Sequence, residues 1–419
     1  MKVLVVGKGG REHALVHGLW QSGAEVLATQ PNPGMAEHAR AVDVAPTDIA
    51  GLLALAQTEH VDLVVIGPEA PLVLGLADVL RARGIATFGP GQAAAQLEAS
   101  KDFTKKFLNR HGIPTARHVT VTELAAAKAA LRTFAEPPVI KADGLAAGKG
   151  VVVPETWAQA EAAVQAFLGD RTLGAAGATL VLEERLVGPE ISALALCDGK
   201  TLLALDLARD HKRIFDGDRG DNTGGMGAVS PLPNVDAATR ARIDREVLAP
   251  TLAGFLSDGL DFRGVIYAGV MLTADGPKVL EYNVRFGDPE AQVLIPRLGA
   301  RLADLLLATA TGQLAGRTLP ADPPAAVTVV LAAAGYPATP RTGDAISGLA
   351  QAAARPDVLV FHAGTRAEGG RVVTAGGRVL AVTGLGATVA DARARAYAAA
   401  ADIHFAGQQL RTDIASSVV

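Results

Sequence analysis

The chain has 419 residues, 49% of them hydrophobic, enough to bury a large core and to divide into roughly three or four domains. A formal charge of -4 and an isoelectric point near 6.2 argue against a general nucleic-acid or membrane-surface role, which usually needs a net basic face, so an anionic ligand must be met by local cations. The single cysteine, Cys197, excludes an internal disulfide and a cysteine-based metal cluster and accords with a reducing cytosol; no run reaches the roughly 18 apolar residues of a membrane span.

Residues 3 to 89 alternate apolar strands with amphipathic segments. VLVV precedes a helix from Arg11, EVLA and VDVA precede a helix after Thr47, and VDLVVIG precedes a helix through Val79 and the strand IATFG. This pattern predicts an open α/β sheet, whose ligands bind outside the carboxyl ends of its strands. Two loops fall there, Gly7 to Glu12 and Gly67 to Pro71. GKGGRE lacks the third glycine of a dinucleotide fingerprint, since Glu12 occupies that place. A glycine turn opening a helix, with Arg11 beside it, suits a phosphate, although a plain strand-to-helix turn fits the same residues.

Residues 92 to 111 read as helical, ended by Gly112-Ile113-Pro114. Of the cations there only Lys101 is singled out, and the others are expected to be solvated. The stretch 139 to 153, VIKADGLAAGKGVVV, places two β-branched strands around a loop of small residues bearing Lys141 and Lys149. It predicts a flexible cover for phosphates, with an ordinary Gly-rich hairpin as the alternative. A Walker loop is rejected, because three residues separate Gly144 from Gly148 and Gly150 follows Lys149. Helices to Phe134 and from Thr156 to Leu168, with the strand ATLVLEE, complete a small lid-like unit.

Two strands, ISALALC and TLLALDLA, lead into residues 209 to 231, a polar stretch expected to be a functional loop. A helix over Ala237 to Leu256 follows. Two strands joined at Ala274-Asp275-Gly276 then put Glu281 and Asn283 on one face by the two-residue period, with Arg285 continuing it. The carboxylate and amide offer hard oxygens to Mg2+, and the arginine can hold phosphate oxygens. Polar residues on a wet sheet face are the commoner cause of such a triplet, but Asp288 and Glu290 follow at once. After helices over 290 to 315, Asp322-Pro323-Pro324 reads as a linker to a small α+β unit.

The ordered set GGREHA (9–14), IGPEAPL (66–72), QLEASK (96–101), KADGLAAGKG (141–150), DHKR (210–213), NTGGMGA (222–228), EYNVRFGDPE (281–290) and FHAGT (361–365) resembles the glycinamide ribonucleotide synthetase family of the ATP-grasp superfamily along almost the whole chain. The resemblance implies an N-terminal phosphoribosylamine-binding domain with an open parallel α/β sheet (1–101), an ATP-grasp body (102–121 and 189–322) interrupted by a lid (122–188), and a small α+β C-terminal domain (323–419). It also implies ATP-dependent ligation of glycine to 5-phosphoribosylamine in purine biosynthesis, through a glycyl phosphate.

The resemblance further implies the site. Lys101 and Lys141 lie near the phosphates of ATP, Gly148 and Lys149 in the cover, Glu183, Glu184 and Leu186 along adenine, and Glu190 at the ribose. Glu281 and Asn283 hold Mg2+ or Mn2+, and Arg285 and Lys149 are catalytic. Gly9, Gly10, Arg11, Glu12, Gly67, Pro68, Glu69, Asp210, Lys212, Gly225, Asp288 and Pro289 bind substrate. A cytoplasmic monomer acting on small molecules, without nucleic acid or membrane, is expected. Lys8, the PNPG order at 31–34, Ala208 and Asp221 depart from the family pattern and leave the phosphoribosyl contacts the least defined.

Overall fold

The fold is seen in a computed structural model that describes residues 1–144 and 150–418. Strands β1 (Lys2–Val6), β2 (Glu25–Thr29), β3 (Arg40–Val42), β4 (Leu63–Ile66) and β5 (Ala86–Phe88) form a parallel sheet in the order β3-β2-β1-β4-β5. Helices cover both faces, which is why Val3 to Val6 form an unbroken apolar run, each fully buried. The strand order reverses between β1 and β4. The loops after these two strands, Gly7 to Glu12 and Gly67 to Pro71, therefore flank the crevice that such a reversal opens.

The segment expected to be one helix over 92–111 is two, Gln92–Ala99 and Lys101–Arg110. Ser100 separates them because it is extended and its hydroxyl accepts from Phe103 N, capping the second helix. Strands β6 (His118–Val121), β7 (Val139–Ala142), β8 (Val151–Val152) and β9 (Leu180–Glu183) form an antiparallel sheet in the order β6-β9-β7-β8. With helices Leu124–Leu131 and Trp157–Val164 this sheet encloses an apolar cluster of its own, around Ile140, Leu180 and Leu182. The expected hairpin is present, with Ile140 opposite Val152 and Lys141 opposite Val151. Gly148 and Lys149, which fall between the two strands in sequence, lie outside the described residues.

Next come β10 (Glu190–Asp198), β11 (Leu202–Ala204), β12 (Arg209–Asp210), β13 (Arg213–Phe215), β14 (Arg219–Asn222) and β15 (Gly227–Ser230). Residues 209–231 are thus not an open loop. Charged side chains masked the backbone pairing of four short strands. The expected helix over 237–256 is interrupted by a π turn at Asp244–Leu248, just ahead of Pro250. Proline has no N-H to donate and its ring crowds the carbonyl four residues back, so the regular ladder is lost there.

Strands β16 (Arg263–Thr273) and β17 (Gly276–Asn283) join β10 and β11 in an antiparallel sheet ordered β11-β10-β16-β17. Opposite Gly269 and Val270 the register of β17 steps from Glu281 to Val279, leaving Leu280 as a bulge. Finally β18 (Ala325–Ala332), β19 (Val358–His362), β20 (Thr365–Glu368), β21 (Arg371–Thr374) and β22 (Arg378–Gly386) complete the chain. The last five-stranded sheet runs β12-β15-β18-β22-β19, so it draws strands from both sides of the linker at 322–324.

Candidate active site

One cavity of about 420 Å3 lies between the sheet of β6 to β9, the sheet carrying β17 and the helix beginning at Lys101. Among the residues lining it are Glu69, Lys101, Glu183, Asp210, Lys212, Glu281, Asn283, Arg285 and Asp288, all singled out from sequence.

On the lid side, β7 and β9 are neighbours, and Lys141 stands two residues along from the Val139–Glu183 pair. The period of the strand puts both side chains on one face. Lys141 Nζ lies 2.9 Å from Glu183 Oε1 and donates to the carbonyl of the bulged Leu280 at 3.1 Å. Lys105 Nζ lies 2.8 Å from the other oxygen of Glu183 and donates to Thr115 Oγ1 at 2.7 Å. Lys105 is 1% exposed, so the expectation that it is solvated is wrong; one turn beyond Lys101, it faces the same way into the protein. Burial pushes its ammonium down to about 8. Burial works to raise the Glu183 carboxyl, but Lys141 and Lys105 outweigh it and hold it below the usual range. Burial lowers the Lys101 ammonium, opposed by Glu281.

Across the cavity Glu281 and Asn283 leave β17 on the same side, as their spacing predicts. The bulge at Leu280 falls immediately before them, so their face is offset from that of residues 276–279. Lys212 pairs with Glu190 and stands 3.9 Å from Glu281. Burial would raise the Glu281 carboxyl, and Lys212, Lys141, Lys101 and Arg285 together lower it. Burial also opposes the Lys212 charge, yet Glu190, Glu281 and Asp210 raise its ammonium above the ordinary range.

Arg285 is held by Glu98 at 2.6 Å and faces Glu69 at 3.5 Å. Glu98 Oε2 also accepts from Val284 N at 2.8 Å, tying the QLEASK helix to the end of β17. Burial pushes the Glu98 carboxyl up, against the pull of Arg285.

The N-terminal crevice is more self-contained than expected. Gly9 and Gly10 open the first helix (Gly10–Gln21). Glu12 accepts from Gly9 N at 2.6 Å and from Arg11 Nε at 2.6 Å, and Arg11 also donates to Phe286 O at 3.2 Å. Both oxygens of Glu12 are therefore engaged within the protein. Gly67 and Pro68 lead from β4 into the short helix Glu69–Val73. Asp288 accepts from Gln292 at 2.7 Å and pairs with Arg378 at 3.3 Å. Gly225 is pressed between Asp210 and Pro289. Glu184 is exposed, with Arg117 N donating to it at 3.3 Å, and Leu186 is half-buried; both stand outside the cavity lining, as does Glu190.

Sequence reasoning gave no role to Glu98, Lys105, Tyr267 and Arg378, which line or flank the cavity. Lys105 was detectable as the residue one helical turn from Lys101, and Glu98 as part of QLEASK. Arg378 had no local signal: it reaches from β22 to donate to Gly224 O and Asp288 O, each at 2.6 Å. Tyr336 accepts from Gly224 N at 2.9 Å. His211 is buried, its imidazole pushed down to about 4 by burial, and its Nε2 accepts from Ala415 N at 3.4 Å. Cys197 is buried too, its thiol pushed up to about 12 by burial; neither resembles a reactive group.

Three family models match the chain: the phosphoribosylglycinamide synthetase N domain over residues 1–98, its ATP-grasp (A) domain over 99–291 and its C domain over 326–417. A phosphoribosylamine-glycine ligase of Xanthomonas axonopodis pv. citri is 51% identical over 420 aligned positions, covering 99% of this chain and 97% of the relative. One from Caulobacter vibrioides is also 51% identical, with the same coverage. The crystal structure of phosphoribosylamine-glycine ligase from Thermotoga maritima superposes with a TM-score of 0.86 at 34% identity, covering 99% of this chain and 100% of that one. A Hydrogenobacter thermophilus biotin carboxylase domain, 17% identical with a TM-score of 0.74 over 98% of this chain and 91% of its own, shares the fold. Full-length identity of this order, with all three domain models matched in sequence, means that the chain belongs to the phosphoribosylglycinamide synthetase family.

Proposed function

We propose that the chain joins glycine to 5-phosphoribosylamine, converting ATP to ADP and phosphate and forming glycinamide ribonucleotide, a step of purine biosynthesis. The observation that carries this reading is a single cavity that gathers Lys101, Glu281, Asn283 and Arg285 within reach of Lys141. A carboxylate is a poor electrophile. In the proposed sequence a glycine carboxylate oxygen takes the γ-phosphoryl group as ADP leaves, and the sugar amine nitrogen then attacks the acyl carbon. Phosphate departs and the nitrogen gives up a proton. Catalysis rests on positioning and charge compensation, with no protein nucleophile.

In this reading Lys101 and Lys141 hold nucleotide phosphates, Gly148 and Lys149 belong to a cover that excludes water, and Glu183, Glu184, Leu186 and Glu190 flank the nucleoside. Arg285 and Lys149 stabilise charge on the transferred group. Gly9, Gly10, Arg11, Gly67, Pro68, Glu69 and Asp288 surround phosphoribosylamine, with Glu12 fixing Gly9 and Arg11. Asp210, Lys212, Gly225 and Pro289 complete the substrate pocket. The units 1–101, 102–121 with 189–322, 122–188 and 323–419 divide these tasks.

The donor set at β17 suits a divalent cation. Glu281 is held ionised by four cations, Asn283 adds an amide oxygen, and among the described residues no cluster of three His, Cys, Asp or Glu side chains offers a full cage. Such a pair fits an ion that keeps water and phosphate ligands, as Mg2+ does. Mg2+ or Mn2+ there would supply charge neutralisation to the phosphates. In this reading the chain acts as a monomer in the cytoplasm.

The test is phosphate release with phosphoribosylamine made in situ. Release requiring both glycine and phosphoribosylamine is expected; equal release with either omitted would refute the ligation.

A further inference from the structure

Lys212, Thr223 and Gly224 line the cavity, and they flank the base of the hairpin made by β13 and β14. Thr223 donates to Lys212 O through its N-H and its hydroxyl, each at 2.8 Å, so the two residues move together. Lys212 in turn pairs with Glu190 and stands 3.9 Å from Glu281. The hairpin has little sheet to hold it. Among the described residues β13 and β14 pair only with each other, their register is irregular between Arg213 and Phe215, and β14 is exposed at every residue. A lone two-stranded hairpin is marginal in water.

Its far end is gripped by a segment distant along the chain. Arg411 is 1% exposed. It donates to Asp218 Oδ1 at 2.7 Å and to Arg213 O at 3.1 Å, and to both oxygens of Asp413 at 2.7 Å. Gly217 N donates to Asp413 at 2.8 Å, and Thr412 N donates to Asp216 at 2.8 Å. Three consecutive residues, 411 to 413, thus hold β13 and the turn after it.

The grip is itself anchored. Tyr397, on the helix Val389–Ala400, donates to Arg411 O at 2.8 Å and accepts from Ile414 N at 3.0 Å. Arg393 of the same helix donates to Thr412 O at 2.7 Å, and Ile414 is fully buried. Burial opposes the Arg411 charge, but Asp413 and Asp218 outweigh it. A buried ion pair of this kind is a weak source of net stability and a strict one of geometry. Arg411 stands outside the cavity lining, so any effect on chemistry passes through the hairpin.

We propose that Arg411 is a positioning residue: through Asp218 and Asp413 it fixes the hairpin, and so holds Lys212 and Thr223 in the cavity wall as turnover requires. The inference goes beyond the ligation reading, on which only the turnover effect rests.

The experiment compares the full chain with Arg411→Lys, which keeps the charge and loses the planar fork, and with Asp218→Asn. Asp218 is largely exposed and has φ +52°, a conformation that asparagine tolerates, so this variant tests the grip should Arg411→Lys fail to fold. By amide hydrogen exchange, Gly217 and Thr223 should exchange about tenfold or more faster in both variants, while Val3 to Val6 keep parental protection. In parallel, kcat/KM for glycine and for phosphoribosylamine should fall by about tenfold, with KM for ATP changed less than about threefold. Faster exchange at Gly217 alone overturns the proposal, as does loosening of both amides with undiminished turnover. Equal loosening of Val3 to Val6 also overturns it, because Arg411 would then stabilise the whole fold. If the parent chain fails to ligate while protection of Thr223 depends on Arg411, the reaction falls and the positioning of the wall stands. Ligation that neither substitution alters has the opposite meaning.

Discussion

Arg285 owes its orientation to Glu98, which holds the guanidinium at 2.6 Å and anchors itself on Val284 N. Glu98→Gln keeps the shape but removes the charge. We expect kcat to fall by about 10- to 100-fold, the range for losing a group that orients a first contact, with KM for ATP nearly unchanged; a parallel rise in KM would mean a binding role instead. The buried trio of Lys105, Glu183 and Lys141 makes a stability prediction. Lys105→Met leaves Glu183 with one cation and should cost about 1 to 3 kcal/mol in urea unfolding. Its pH dependence is also defined. The folded ammonium titrates at about 8, below the unfolded value of about 10.4. Between those values the unfolded chain binds the extra proton, so this residue makes stability rise with pH from about 8 to 10.4. That slope should be missing in Lys105→Met. The sequence showed Lys101 and Lys141 through their motifs, while Lys105 looked like one more surface lysine because its partner, Glu183, is distant along the chain.

Between elements, one link is at Asp143, just past β7. Its Oδ1 accepts from Asp102 N at 2.7 Å and from Ser100 Oγ at 3.0 Å, so a residue of the hairpin caps the helix that begins with Lys101. Asp143→Ala should lose a cap worth about 1 kcal/mol and raise KM for ATP severalfold; unchanged KM with the same destabilisation would confine the residue to capping. The alternation that put Glu281 and Asn283 on one face was legible because both lie beyond the bulge. The bulge itself was not, since an extra residue in a strand leaves the apolar pattern almost intact. Nor were the strands of 209–231, where high charge imitates a loop although the main chain pairs with β18 and within its own hairpin.

Across the whole molecule, β22 touches two residues of the cavity lining, Gly224 and Asp288, through Arg378. Arg378→Ala frees the Gly224 and Asp288 carbonyls together, and we expect kcat/KM for phosphoribosylamine to drop by about tenfold or more; an unaltered value would leave the C-terminal region a purely structural role. The fold class was readable from the alternation of strands and helices, and the cavity in good part from motifs. What the sequence hid is how the last sheet is shared, because pairing of β15 with β18 joins residues that no local pattern connects. That sharing has a consequence during synthesis. At roughly 5 to 20 residues per second, β15 leaves the ribosome about 5 to 20 seconds before β18, and until then one edge of it offers bare amides and carbonyls to any passing strand. Nascent chains stalled near residue 300 should therefore be aggregation-prone or chaperone-bound, and release should follow the emergence of residue 332.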